Sequence, residues 1–240
     1  MLPFDPAMRA VAIIPAYQAT RTVGAIVAEL CARWPESAGR PAVIVVDDGS
    51  SDGTAETAHR AGADVVRHAK NRGKGAALRS GLQRAAELGA ELAVSVDADA
   101  QHPPEEAVRL LDYPAPMSAL VLGIRDLVRD GAPRANRFSN GFSNAWISMF
   151  SGRRLVDTQC GLRRYPVCST LELGVKACGY GFEAEVILRA ARARWPIAEV
   201  PVRVVYPVNG QHTSHFHVVR DPARIVARIL WTVATAPRSR

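Results

Sequence analysis

Short, wholly apolar runs alternate with stretches of helical periodicity through the first half of the chain. Residues 9–15 (RAVAIIP) form the first run, stopped by a proline, and predict a strand buried on both faces. Val23, Ile26, Val27, Leu30 and Cys31 then recur at helical spacing. Thr20 or Thr22 is placed to cap that helix and Trp34-Pro35 to end it. Residues 42–46 (AVIVV) predict a second strand, which runs into the acidic, glycine-rich turn Asp47-Asp48-Gly49-Ser50-Ser51-Asp52-Gly53-Thr54. Strand, turn and helix in that order is the βα unit of a parallel sheet. A short third strand is expected at 64–67 (DVVR), a strong helix from Asn71 to about Leu88, and a buried strand at 92–96 (LAVSV).

A short helix at 105–111 and a strand at 118–123 (SALVLG) continue the alternation, which weakens beyond residue 123. The next segment is polar, and in 138–150 (FSNGFSNAWISMF) Phe138, Phe142, Trp146 and Phe150 recur every four residues. A helix is expected from about Gly179 to Arg194, then a last strand at 198–206, near a sheet edge because it contains Pro201. Asp221-Pro222 opens a final helix with Ile225, Val226, Ile229 and Leu230 apolar and Arg220, Arg224 and Arg228 basic. The pattern predicts an α/β fold: a mostly parallel central sheet flanked by helices, followed by a C-terminal amphipathic helix. A length of 240 residues suits a single domain, 1–240.

Composition narrows the class. Nearly half the residues are hydrophobic, 48%, yet no window approaches the ~18 uninterrupted apolar residues of a membrane span. The opening Met1-Leu2-Pro3-Phe4-Asp5-Pro6 lacks a basic region followed by a long apolar core, so no signal peptide is expected. Cys31, Cys160, Cys168 and Cys178 form no C-x-x-C pair and are expected as reduced, buried thiols of a cytosolic protein. The net charge of +7 asks for an anionic partner: nucleic acid, a membrane face or a phosphate-rich substrate. It concentrates around the aromatic segment, in Arg125, Arg129, Arg134, Arg137, Arg153, Arg154, Arg163 and Arg164. A basic collar on an aromatic amphipathic helix suits a membrane surface, although a core helix with large side chains has the same spacing. No nucleic-acid recognition module accompanies the arginines, so nucleic acid is not expected as a partner.

The densest chemistry follows the strand at 92–96. It ends in Asp97-Ala98-Asp99-Ala100-Gln101-His102-Pro103-Pro104, two carboxylates one residue apart and then a proline pair that stops the ladder. In extended backbone Asp97 and Asp99 point the same way, and two converging carboxylates repel unless a cation lies between them. Mg²⁺ or Mn²⁺ takes carboxylate oxygens and fills its open positions with phosphate oxygens, so the pair reads as a metal–diphosphate site. An ordinary acidic loop is the alternative. Asn71-Arg72-Gly73-Lys74-Gly75 resembles a phosphate loop but has His68 where the Walker pattern needs glycine and Gly75 where it needs Ser or Thr. Glycines and a lysine at a helix start still suit an anion, or form a plain turn. His212, His215 and His217 lie close in sequence without a further ligand to complete a zinc site.

Taken in order, these motifs resemble the inverting family 2 glycosyltransferases of the GT-A fold, in particular the polyprenyl-phosphate, dolichyl-phosphate mannose synthase-like branch. The resemblance rests on Ile13-Ile14-Pro15-Ala16-Tyr17, the Asp47–Thr54 turn, Asn71–Gly75 and Asp97–Pro104. It continues through Asp157-Thr158-Gln159-Cys160-Gly161-Leu162-Arg163 and Gly181-Phe182-Glu183-Ala184-Glu185. It implies a GT-A, Rossmann-like fold with a nucleotide-sugar-binding half at 10–123, an acceptor-binding half at 124–206 and a C-terminal loop and helix at 207–240. It places Pro15, Tyr17, Asp47, Asp48, Lys74 and Asp97 on the donor, and Mg²⁺ or Mn²⁺ on Asp97, Asp99 and Gln101. The implied reaction moves a sugar from a UDP- or GDP-sugar to a lipid-linked acceptor, polyprenyl phosphate foremost, by one inverting displacement. An acceptor phosphate needs cations more than a base, which makes Arg125, Arg134, Arg137 and Arg163 its candidate partners. Asp157 and Glu185 are the candidate bases if the acceptor is a neutral hydroxyl, or else salt-bridge partners of nearby arginines. Gln18-Ala19 departs from the family's Asn-Glu and removes a carboxylate near the base. The expected location is cytoplasmic, peripheral on the inner membrane face. Two rivals stay open: a glycosyltransferase acting on a hydroxyl of a glycan, protein or specialised lipid, and a non-catalytic basic binding module.

Overall fold

A computed structural model describes residues 9–36, 42–129, 134–179 and 181–205. The C-terminal helix and the three clustered histidines expected from the sequence lie outside them. The chain alternates strand and helix as far as β5: β1 (Ala10–Ala16), α1 (Val23–Arg33), β2 (Val43–Asp47), α2 (Thr54–Arg60), β3 (Asp64–Arg67), α3 (Lys74–Glu87), β4 (Leu92–Ser95), α4 (Pro104–Leu111) and β5 (Leu120–Arg125). Then come α5 (Arg134–Ser151), β6 (Arg163–Pro166), α6 (Val167–Glu172), α7 (Gly181–Arg192) and β7 (Ile197–Val202).

The strands make one seven-stranded sheet in the order β3-β2-β1-β4-β6-β5-β7. Only β6 runs against its neighbours, antiparallel to both β4 and β5. Alternation along β1 explains the two-sided core. Ala10, Ala12, Ile14 and Ala16 face α1, α2 and α4, whereas Val11 and Ile13 face α3, α5 and α7. The order of strands reverses at β1: the chain steps outward from β1 through β2 to β3, and α3 then carries it back to β4 on the other side of β1. Crevices beyond the carboxyl ends of strands at such a switch point are where α/β sheets bind ligands.

Four sequence expectations change. Thr22 does not cap α1 with its side chain. Its hydroxyl instead donates to the Ala98 carbonyl at 2.6 Å, tying the start of α1 to the acidic turn after β4. Of the cysteines only Cys160 is buried, while Cys31 is half-buried and Cys168 and Cys178 are exposed. The strand β6 was hidden because its sequence, Arg-Arg-Tyr-Pro, reads as polar, although all four residues are buried. The arginines explain the apparent contradiction. Arg164 donates to the carbonyls of Leu111, Tyr113 and Ala115, and Arg163 to those of Thr158, Cys160 and Glu183. Each guanidinium replaces a set of missing backbone partners inside the protein.

That geometry corrects the role expected for Arg163. With 1% of its surface exposed and its donors engaged by three carbonyls, it braces the 158–160 loop against α7 and offers nothing to an acceptor phosphate. Replacing it by Met leaves those carbonyls unpaired, so Arg163→Met should destabilise the fold by about 3 kcal/mol or more in chemical denaturation. A loss below about 1 kcal/mol would return Arg163 to the list of ligand contacts.

Candidate active site

The carboxyl ends of β1, β2, β4 and β5 deliver Pro15-Tyr17, Asp47-Asp48, Asp97-Asp99 and Arg125 to one rim of the sheet. The loops there are stapled to one another. The Gln18 N–H donates to Ser50 Oγ at 2.9 Å and the Ala19 N–H to Thr54 Oγ1 at 2.8 Å, so the β1 and β2 loops move as one. Tyr17 stays 37% exposed at the lip of this wall.

At the centre, Lys74 Nζ lies 2.6 Å from Asp97 Oδ1 and 2.9 Å from Glu183 Oε1. Burial works against the ammonium, but Asp97 and then Glu183 outweigh it and hold the amine protonated well above its ordinary value. Burial likewise pushes the Asp97 carboxyl up, and the neighbouring Lys74 more than reverses this, holding it below the usual carboxylate range. Asp99 lacks such a partner: burial first and the charge of Asp97 second push its carboxyl up to about 6. Asp99 Oδ1 accepts the Gln101 N–H at 3.0 Å, which places the third expected ligand in the same turn.

The approach of Asp97 is permitted by one residue. A Cβ on Gly161 would lie 2.1 Å from Asp97 Oδ2, so any side chain there would expel the carboxylate. Two glycines place Lys74 in the same manner. A Cβ on Gly73 would meet the Cys178 carbonyl at 2.6 Å, and one on Gly75 the Phe182 Cβ at 2.6 Å and the Gly179 carbonyl at 2.7 Å. The Ala76 N–H donates to the Cys178 carbonyl at 2.9 Å. These glycines therefore serve close packing of the start of α3 on the chain leading into α7, which is what brings Lys74 to Glu183.

His102 is buried behind Asp97. Burial, with Arg125 and Lys74 adding to it, pulls its imidazole down to about 4 against the opposing pull of Asp97, so it is neutral near pH 7. Its Nε2 lies 3.7 Å from the Cys160 thiol, which burial pushes up to about 12. Arg125 grips Asp157 with two parallel bonds, Nε to Oδ2 at 2.7 Å and Nη2 to Oδ1 at 3.0 Å. Burial raises the Asp157 carboxyl, but Arg125 and the Gln159 N–H overcome this and keep it below its ordinary value.

Several expected contacts have other work. Asp48 is 2% exposed, and its oxygens accept the Arg72 N–H at 2.9 Å and the Gly73 N–H at 2.7 Å. Its Oδ1 also lies 2.6 Å from His68 Nδ1, so it fixes the turn ahead of α3 instead of holding a donor. Asp47 Oδ1 accepts the Ser50 N–H, while Oδ2 lies 3.5 Å from Arg67 Nε. Glu185 is fully buried, paired with Arg189 at 2.8 Å and accepting the Ala177 N–H at 2.9 Å, which excludes it as a catalytic base. Arg137 is half-buried at the start of α5, and the side chain of Arg134 lies outside the described residues. Glu183 and His102 were missed. Both sit inside motifs picked out from the sequence, but only the packing of α3 on α7 singles out Glu183 over Glu185.

The donor set fits a hard divalent cation. Two carboxylates share a rim, one of them raised by burial and then by its neighbour's charge, and a lysine is drawn against the other, an arrangement that suits a cation. Among the described residues no three His, Cys, Asp or Glu side chains converge to enclose a metal. A carboxylate pair leaves coordination positions for phosphate oxygens, as Mg²⁺ and Mn²⁺ sites do.

Comparison with known proteins agrees with this geometry. Residues 11–169 match the family described as Glycosyl transferase family 2. The chain is 31% identical over 238 residues to an undecaprenyl-phosphate mannosyltransferase of Micrococcus luteus, covering 95% of each chain. It is also 31% identical to a polyprenol monophosphomannose synthase of Mycolicibacterium smegmatis, over 82% of this chain and 77% of that one. Among solved structures, mannosyl-3-phosphoglycerate synthase from Rubrobacter xylanophilus superposes with a TM-score of 0.69 at 22% identity, over 95% of this chain and 73% of that one. Glucosyl-3-phosphoglycerate synthase from Mycobacterium tuberculosis, in complex with Mn²⁺, UDP and phosphoglyceric acid, superposes with a TM-score of 0.70 at 20% identity, over 97% of this chain and 80% of that one. A mostly parallel sheet, an acidic pair beyond its fourth strand and a family match over most of the chain lead to one conclusion: this protein belongs to glycosyl transferase family 2 and is a glycosyltransferase of the GT-A fold.

Proposed function

We propose that the protein transfers a sugar from a UDP- or GDP-sugar to a polyprenyl phosphate, inverting the anomeric configuration. The observation that carries this reading is the state of Asp157. A neutral hydroxyl acceptor needs a base poised near the working pH. Asp157 is clamped by Arg125 and held well below that range, and Glu185 is sealed in the core. An acceptor that already carries negative charge needs neither. Its phosphate oxygen bonds to the anomeric carbon as the bond to the donor diphosphate breaks, and no proton is transferred. The two relatives reported above are named for undecaprenyl phosphate and polyprenol monophosphomannose, which supports the same class.

In this reading residues 10–123 hold the donor, with Pro15, Tyr17 and Asp47 towards the base and ribose and Lys74 towards the diphosphate. Residues 124–206 receive the acceptor, with Arg125 turned towards its phosphate and Arg134 and Arg137 as further candidate partners of that phosphate. Mg²⁺ or Mn²⁺ held by Asp97, Asp99 and Gln101 would supply positive charge to the departing nucleoside diphosphate. The protein works on the cytoplasmic face of the membrane, where it attaches peripherally. No helix among the described residues is long and apolar enough to cross a membrane. Val128, Phe142, Met149 and Val156 are exposed by 72, 43, 62 and 56%, next to the exposed arginines 129, 153 and 154, a combination suited to an anionic lipid surface.

The purified protein, given UDP- and GDP-sugars with Mn²⁺, should glycosylate polyprenyl phosphate in preference to hydroxyl acceptors, measured as labelled lipid product. Asp99→Asn and excess EDTA should each reduce the rate by about a hundredfold or more. Turnover only with hydroxyl acceptors would overturn the acceptor assignment, and full activity in EDTA the metal. Asp157→Asn should raise the acceptor KM several-fold more than it lowers kcat, because Arg125 loses its orienting partner while no base is removed. A collapse of kcat at unchanged KM would mark Asp157 as the base after all. Met149→Glu with Val156→Glu should weaken co-sedimentation with anionic vesicles about tenfold while leaving the melting temperature unchanged. Equal sedimentation of the double variant would remove this face from the membrane.

A further inference from the structure

Lys74 sits where two carboxylates close on it. Its side chain is only 17% exposed, and the charges beside it, Asp97 and Glu183, come from β4 and α7 and are fixed by their own packing. One oxygen of Asp97 lies on the ammonium, and the other is pressed against Gly161. The lysine is equally constrained: it is the first residue of α3, whose start is locked by Gly73 and Gly75 against Ala177, Cys178, Gly179 and Phe182. The ammonium therefore rests on one of the carboxylates expected to bind a metal, and a divalent cation arriving on that carboxylate would be repelled by it.

We propose that Lys74 is a built-in counter-ion: its ammonium neutralises Asp97 before a metal arrives, an incoming divalent cation displaces it, and Glu183 keeps the displaced ammonium beside the donor diphosphate. The proposal rests on the metal reading above. Coupled loading follows. A metal ion alone must break the Lys74–Asp97 pair, so it binds weakly. A nucleoside diphosphate gives the released ammonium a new anionic partner and so favours metal entry, and by linkage the metal favours the nucleotide to the same degree. Glu183, buried to 4% exposure, is in this scheme a positioning residue for Lys74.

The test is Mn²⁺ binding, read from the free-ion paramagnetic resonance signal, without nucleotide and with UDP or GDP. Lys74→Met should bind Mn²⁺ about tenfold tighter than the unaltered protein when no nucleotide is present. The paired variant Lys74→Met with Glu183→Gln removes one charge of each sign, so the net charge is kept and Asp97 alone is freed of its partner, with no second unpaired carboxylate at Glu183. It should show the same gain, and the further tightening on adding nucleotide should shrink by a similar factor. Should Lys74→Met alone fail to fold, the paired variant decides. Mn²⁺ affinity of the paired variant equal to or below that of the unaltered protein would overturn the counter-ion while leaving the metal site standing. If none of the proteins binds Mn²⁺ under any condition, the metal reading falls and takes this proposal with it.

Discussion

Two carboxylates at the end of one buried strand repel each other, and positive charge brought to them relieves that repulsion. Much of the local architecture answers that constraint. Gly161 makes room for the Asp97 carboxylate, the Thr22 hydroxyl ties down the turn that carries Asp99, and α3 begins where its first side chain reaches Asp97. The packing of Gly73 and Gly75 on the approach to α7 fixes the lysine and the second carboxylate in one motion. A site built this way has its backbone fixed by packing on three sides of the Lys74–Asp97 pair.

Arginine does two separate jobs in this protein. Arg163 and Arg164 lie inside, where their forked donors satisfy carbonyls of loops and of α4 and α7. Arg125 lies at the rim and is held ready by a buried carboxylate, oriented but still 16% exposed. The net charge of +7 is thus only partly a surface property, and a count of basic residues overstates what is available to an anionic partner.

The balance between Asp157 and Arg125 connects fold to reaction class. A carboxylate bound in two places by a guanidinium is a poor proton acceptor and a good anchor. Where the nucleophile is already ionised, anchoring cations matters more than removing a proton. The same residue pair would be badly designed for a neutral alcohol.

The alternation of apolar runs and helical periods determined the α/β class, most strand positions and the acidic pair, since β-branched runs ended by Asp, Gly and Pro have few other ways to fold. The first four motifs were legible for the same reason: each lies at or just beyond the end of a strand. The strand β6 escaped notice because arginine reads as polar, and only the surrounding carbonyls make its burial possible. Glu183 and Glu185 are two residues apart and indistinguishable in one dimension. Their helix start turns one towards Lys74 and the other towards Arg189. Asp48 looked like a ligand and became a brace for the same cause. A sequence states which groups carry charge, but their partners come from distant segments, as Glu183 does for Lys74, and only tertiary packing chooses between a partner in the chain and one in the cleft.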